Sequence, residues 1–269
     1  MHELPASERV RCELAAPGVA RVTMTRPDKL NALDPAMFDA LIAAGQSLHH
    51  LAGLRCVVLA GEGPGFCAGL DLASMAGLAG NEAGRLTDRT HGSSNLFQHA
   101  AMVWRNLPVP VIAAIHGVCL GGGLQIATGA DIRVVTPAAR LAVMEMKWGI
   151  VPDMAGFALW RGLVRDDVLR ELTYTSREFS GDEAVALGFA TIADADPAAR
   201  ALALAQDIAS RNPDAIRAAK QLFNRHRELG LDAVLMEESV AQQRLLGSRN
   251  QMEAVQSQME RRPGRFVDP

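Results

Sequence analysis

The chain has 269 residues, 49% hydrophobic and 21% charged, with 27 Lys and Arg against 30 Asp and Glu for a net charge of −3. That is globular composition, long for one domain and short for two, so one large core with a small appendage is expected. No run of about eighteen apolar residues is present to span a bilayer, the opening MHELPASERVRCEL lacks the apolar stretch of a secretory signal, and no Lys/Arg cluster interleaved with aromatics marks a nucleic-acid binder. The expectation is a cytoplasmic protein that engages neither membrane nor nucleic acid. Its four cysteines lie far apart with no C-x-x-C spacing and read as reduced core thiols. The seven histidines form no H-E-x-x-H or H-x-H pattern, and no metal is expected.

In chain order, Val19 to Met24 alternates like a strand and Arg26-Pro-Asp-Lys-Leu-Asn31 makes a polar turn. Asp34-Pro35 then supplies the cap and first-turn proline of a helix running to about Leu51. An apolar run from Arg55 to Leu59 predicts the next strand, followed by the loop Gly61-Glu62-Gly63-Pro64-Gly65 and a helix start at Phe66-Cys67-Ala68-Gly69-Leu70-Asp71. Between Ala73 and Gln98, Gly, Ser, Asn and Thr dominate with weak periodicity, which predicts a mobile lid beside a site. A second unit of the same shape comes next, with a strand from Val109 to His116, a glycine-rich loop from Gly117 to Gly123 and a buried helix from Leu124 to Ala130. Two such units predict a spiral of strand-strand-helix turns. Asp131 to Val135 and Arg140 to Met144 read as short strands, Gly149 to Asp153 as a turn, and Phe157 to Leu163 as helix. Beyond about Ala198 the pattern is helical, and its apolar stripes (Leu202, Ala205, Ile208, Ala209; Leu231, Val234, Leu235; Val240, Leu245) require a partner surface on the core or on another subunit.

Ala68-Gly69-Leu70 and Gly121-Gly122-Gly123 each precede a predicted helix, where backbone N–H groups lack intrahelical acceptors and the dipole is positive. Facing one another, they would grip a carbonyl oxygen that becomes an enolate, an effect of about 3 to 4 kcal/mol per donor. Close helix–strand packing also calls for glycine and stays open as the other reading. Neither G-x-x-x-x-G-K-[ST] nor G-x-G-x-x-G is present, which argues against a phosphate loop. Alternation places Glu145 on the face of Leu141 and Val143, where burial would raise its pKa toward that of a general acid/base; a strand-end glutamate paired with Lys147 in solvent is the alternative. Asp153 either folds back toward Glu145 over the Gly149 to Pro152 turn or caps a helix. Gln125 either orients a water or substrate group through its amide or satisfies local backbone. Lys29, Arg261, Arg262 and Arg265 are phosphate contacts or ordinary surface cations, and His116 reads as a core histidine.

These segments, in this order, resemble the enoyl-CoA hydratase/isomerase (crotonase) family along nearly the whole chain. Arg26-Pro-Asp-Lys-Leu-Asn-Ala-Leu33 is similar to its N-terminal coenzyme A segment, Gly65-Phe-Cys-Ala-Gly-Leu-Asp-Leu72 to its first oxyanion loop, and His116-Gly-Val-Cys-Leu-Gly-Gly-Gly-Leu-Gln-Ile-Ala127 to its second. Gly129-Ala-Asp-Ile-Arg133 and Glu145 through Asp153 follow as the family has them. The resemblance implies an α/β fold: a crotonase-like spiral of repeated ββα units over residues 1–197, with a C-terminal helical oligomerisation region over 198–269, in trimers or dimers of trimers. It implies oxyanion amides at Leu70 and Gly122, the main acid/base glutamate at Glu145, and coenzyme A contacts at Lys29, Leu30, Ala32, Ala68, Asp71 and Leu72. Arg265 and Phe266 would reach a neighbouring subunit's ligand.

The resemblance has one departure. Hydratases of the family carry a second glutamate where this chain has Gln125, while its dienoyl isomerases carry an aspartate at the position of Asp153, which this chain keeps, and an acid where Gln125 stands. The implied activity is addition of water to an enoyl-CoA, or a shift of its double bond, through an oxyanion-stabilised enolate. No cofactor is implied beyond the coenzyme A of the acyl-CoA substrate. The alternatives are another thioester chemistry of the family, hydrolysis or decarboxylation, and a non-catalytic acyl-CoA-binding protein, against which the retained Glu145 and Asp153 weigh.

Overall fold

In the computed structural model, which describes residues 7–74 and 85–269, the apolar runs become nine strands. They are β1 (Val10–Ala16), β2 (Val19–Met24), β3 (Cys56–Gly61), β4 (Val111–Ile115), β5 (Val118–Leu120), β6 (Ile132–Val135), β7 (Arg140–Ala142), β8 (Phe179–Ser180) and β9 (Ile192–Ala193). A six-stranded sheet runs in the order β1-β2-β3-β4-β6-β9, parallel from β2 onward, and β5-β7-β8 form a smaller second sheet. Ten helices are described: α1 (Pro35–His49), α2 (Leu96–Arg105), α3 (Gly122–Gly129), α4 (Gly156–Trp160), α5 (Asp166–Thr175), α6 (Gly181–Leu187), α7 (Pro197–Ala209), α8 (Pro213–Arg225), α9 (Leu231–Leu245) and α10 (Arg249–Met259). None among the described residues is long and apolar enough to cross a membrane.

The larger sheet is covered on both faces, which is why its strands read as unbroken apolar runs. Val57 and Leu59 of β3 and Val111, Ala113 and Ile115 of β4 point into the main core, which α1, α2 and α3 complete. The residues between them, Cys56, Val58, Ile112 and Ala114, face Ala201, Ala205 and Ala209 of α7. Alanines four apart form one small-residue stripe, so this helix lies close to the sheet. The first helix of the predicted tail therefore belongs to the core, whereas α9 buries no residue in the single chain.

Four expectations change. β4 starts at Val111 rather than Val109, because Pro108 and Pro110 cannot donate to a ladder. β7 ends at Ala142, and Glu145 is not a strand residue; it opens a 3₁₀ turn, Glu145–Trp148, that Gly149 closes at a φ of 71°. The helix predicted over Phe157 to Leu163 is the shorter α4, ended by extended Arg161 and by Gly162 at a φ of 70°. Leu96, Phe97 and Gln98 belong to α2 and not to a lid: Asn95 and Gln98 cap each other's backbone reciprocally, a strong helix start. Residues 75–84 of that predicted lid lie outside the described residues.

Helix α8 is tied to the core by a buried ammonium. Lys220, 4% exposed, donates to the Trp104 and Val109 carbonyls at 3.3 and 2.8 Å and to Asp131 Oδ2 at 2.8 Å. The Val111 amide donates to the same oxygen at 2.7 Å, so β4, α8 and the start of β6 meet at one carboxylate. Lys220→Met leaves that partly buried carboxylate without its cation and should lower stability by about 2 kcal/mol in urea denaturation at neutral pH. An unchanged midpoint would mean that the pair contributes nothing net.

Candidate active site

The two glycine loops are sewn together by backbone. Beyond β3, Phe66 donates to the His116 carbonyl at 2.9 Å, Cys67 to that of Val118 at 3.0 Å, and Leu120 back to that of Cys67 at 3.0 Å, which makes a parallel bridge of Cys67 with Cys119. A second parallel bridge, Leu33 with Leu70, uses the amides of Leu33 and Asp71. Leu70 is the residue of that rung whose own N–H points away from the partner. Gly122 opens α3, where the first amides have no intrahelical acceptor. Among the described residues neither the Leu70 nor the Gly122 amide has an acceptor. A side chain on Gly69 would stand 2.7 Å from the Leu120 carbonyl and 3.4 Å from the Gly122 nitrogen. One on Gly123 would stand 2.5 Å from the Cys67 carbonyl. The glycines thus permit close packing, and the two amides without acceptors lie on the loops so packed.

The Arg26 to Leu33 segment braces the first loop. Buried Asn31 donates to the Glu62 and Gly65 carbonyls at 3.0 and 2.9 Å and accepts from the Arg26 amide. Arg26 donates to the Ala32 carbonyl at 3.0 Å and to Asp71 Oδ2 at 2.7 Å, holding the Asp71 carboxyl below the usual range. Sequence reasoning passed over both Arg26 and Asn31 as individual residues; their signal was a buried-type pattern of polar groups inside a turn. Asp71 is thus committed to Arg26. A cavity of about 510 Å³ opens beside these elements, and Lys29, Ala32, Ala68, Asp71 and Leu72 line it together with Leu70 and Gly122. Leu30 is not among its lining residues; at a φ of 51° it offers its carbonyl to the Ala68 amide. A larger hollow of about 710 Å³ lies between α8 and α9, away from every motif.

Glu145 lines the same cavity and is 8% exposed; among the described residues its side-chain partner is Gln125, not Lys147. Burial raises its carboxyl pKa, opposed by hydrogen bonds from its own amide, from Gln125 and from the Met144 amide, while the charge of Asp153 adds a smaller upward push. Gln125, 1% exposed, donates to Glu145 Oε1 at 2.6 Å and accepts from the Met154 and Gly156 amides, both at 2.9 Å. Glu145 Oε2 is buried without a partner among the described residues. Asp153 caps no helix, since Ala155 holds the cap position of α4. It is half-buried, its pKa is raised by that burial, and it does not line the cavity.

Other candidates lie elsewhere. His116 is partly exposed, not a core histidine, with Nε2 2.8 Å from the Gly63 carbonyl. Arg265 and Phe266 are bound at the other end of β3: the Phe266 carbonyl accepts from Arg55, just ahead of that strand, and the Arg265 amide donates to Glu253. Arg262 is held between Glu253 and Glu260. Among the described residues no group of three or more His, Cys, Asp or Glu is placed to hold a metal ion.

The sequence matches the family described as enoyl-CoA hydratase/isomerase over residues 15–269. A mitochondrial Δ(3,5)-Δ(2,4)-dienoyl-CoA isomerase of Mus musculus is 30% identical over 268 residues, 97% of this chain and 82% of that protein. A mitochondrial methylglutaconyl-CoA hydratase of Mus musculus is 30% identical over 256 residues, 93% and 79% of the two chains. The crystal structure of an enoyl-CoA hydratase from Bacillus anthracis matches with a TM-score of 0.86 at 27% identity, covering 96% of this chain and 98% of that one. On the family match, these relatives and the shared fold, the chain belongs to the enoyl-CoA hydratase/isomerase (crotonase) family.

Proposed function

We propose that the protein shifts the double bond of an enoyl- or dienoyl-CoA thioester, with Glu145 as the acid/base and the amides of Leu70 and Gly122 as the oxyanion hole. The observation that carries this reading is Glu145, the carboxylate on the cavity wall with no cationic partner among the described residues, since Asp71 and Glu178 on the same wall are paired with Arg26 and Arg140; it stands beside two unpartnered amides and has an amide rather than a second acid at position 125. The thioester carbonyl accepts from both amides, which favours enolate character at the α-carbon. Glu145 removes a proton from one carbon of the acyl chain and returns it to another, so that the double bond shifts with no net gain or loss of protons. Hydration instead needs one group to activate water and a second to deliver the proton, and Gln125 titrates in neither role. The same reading places Lys29, Leu30, Ala32, Ala68, Asp71 and Leu72 along the coenzyme A, needs no cofactor beyond it, and puts the protein in the cytoplasm. It assembles the chain in trimers or dimers of trimers, with α9 covered by a neighbour and Arg265 and Phe266 reaching that neighbour's ligand.

Mass spectrometry and ultraviolet absorbance on separate incubations with a 3-enoyl-, a 3,5-dienoyl- and a trans-2-enoyl-CoA test the reading. The expected result is altered conjugation at unchanged mass from the first two. A product of the 2-enoyl substrate heavier by one water would replace the proposal with hydration, and free coenzyme A would replace it with thioester hydrolysis. Glu145→Gln should cut kcat by roughly 10²–10⁴-fold while thioester binding, measured by calorimetry, stays near wild type.

The raised pKa of Glu145 gives two pH predictions. As a base it works only when ionised, so kcat/KM should fall with decreasing pH through a midpoint above the ordinary glutamate range. For stability the sign runs the other way, because a carboxyl whose folded pKa lies above its unfolded value costs stability once pH rises through the window between them. Glu145→Gln should therefore raise the thermal midpoint at pH 8, with the gain disappearing at pH values below the ordinary glutamate pKa. Equal midpoints for the two proteins across that range would contradict a buried ionised Glu145.

A further inference from the structure

We propose that Gln125 is a positioning residue that acts through Glu145: its N–H pins Oε1 and so fixes the orientation of the carboxyl that exchanges protons with the acyl chain. The inference rests on the acid/base role proposed for Glu145. Gln125 comes from the first turn of α3 and Glu145 from the turn after β7, so two separate elements meet at a 2.6 Å contact. The direction of the amide is dictated. Its oxygen sits 2.9 Å from both the Met154 and Gly156 N–H groups, and a flipped amide would aim its own N–H at two donors. The approach on that side is close: a side chain on Gly156 would stand 2.8 Å from Gln125 Oε1 and 2.6 Å from the Trp160 ring.

With its oxygen shared by two backbone amides and one N–H given to Glu145, the Gln125 amide is held from both ends inside the protein. Its N–H favours the ionised form of Glu145, which keeps a buried carboxylate available as a base. Its oxygen fixes the turn just beyond Asp153. Asp153 is the charged group that bears on Glu145 from the packed elements, while Lys29, Arg140, Lys147 and Glu178 line the shared cavity, with Arg140 and Glu178 paired to each other at 2.6 Å.

Gln125→Glu separates this role from a purely structural one, because the new side chain keeps an oxygen for the Met154 and Gly156 amides and replaces only the donor. Two carboxyls sharing a site cannot both ionise at the ordinary pH. The acid limb of kcat/KM should move up by roughly one to two pH units, with kcat lowered more than KM. An unmoved or lowered limb in a folded Gln125→Glu enzyme overturns the proposal. The unaltered protein gives a second measurement that needs no folded variant at this position. In its ¹⁵N-glutamine NMR spectrum the Gln125 side-chain amide should titrate with the midpoint of kcat/KM, and the titration should vanish in Glu145→Gln. A Gln125 amide insensitive to pH overturns the proposal. A wild-type enzyme with no double-bond shift, or an active Glu145→Gln enzyme, would instead remove the reading beneath it.

Discussion

Cys67 exchanges backbone hydrogen bonds with Val118 and Leu120, and this rung of parallel ladder fixes where the two glycine loops stand. Paired chains advance together, so Leu70 and Gly122, each three positions beyond the rung, arrive side by side. The rung exists only because side chains are missing around it. A Cβ on Gly117, which has a φ of 59°, would lie 1.9 Å from the Pro64 carbonyl, a contact no small adjustment relieves. The free amides of the site are thus a product of register, as strand pairing is, and not of two loops that happen to be near each other.

The same register delivers the carboxylate. β5, which carries the second loop, pairs in parallel with β7 through Leu120 and Ala142, and Gly121 donates to the Ala142 carbonyl at 2.9 Å. Glu145 therefore leaves its turn close to Gly121, where a side chain would come within 3.5 Å of its Oε1. Gln125 then reaches it from the first turn of α3. Backbone ladders thus set three groups, two amides and one carboxylate, against one cavity, and side-chain hydrogen bonds are needed only for the last of them.

Much of this was legible in the sequence, because hydrophobic period and glycine spacing report local geometry directly. β2, β3, β4 and β6 and the helices α1 and α3 fall within a few residues of their expected places, and the ordered motifs carried the family. What was not legible depends on partners distant in sequence. Alternation extended β7 as far as Glu145, because nothing local announces the 3₁₀ turn that takes over after Ala142. The open choices for Gln125 and Glu145 closed only when their side chains, twenty positions apart, proved to touch. The alanine stripe of α7 looked like part of a helical tail, since small residues leave a weak apolar signature even where a helix lies on a sheet. β1 and the elements between 164 and 197 carry no strong pattern in the sequence.

The electrostatics of the proposed reaction explain why a buried glutamate suits it. The Leu70 and Gly122 amides are fixed dipoles that never change their own charge, so they respond to whatever develops on the carbonyl oxygen. Glu145 must change charge twice in each turnover, neutral after taking a proton and anionic after returning it. Burial raises the energy of the anion, which weakens folding but brings the acidity of Glu145 closer to that of the carbon it serves. When Glu145 accepts the proton, negative charge appears at the thioester oxygen, where the two dipoles already point. The net charge of the cavity then stays constant while its position moves, and no new ion has to be solvated at the hardest step. A second ionised carboxylate at position 125 would add a charge that this balance does not accommodate, whereas the amide of Gln125 adds only a hydrogen bond.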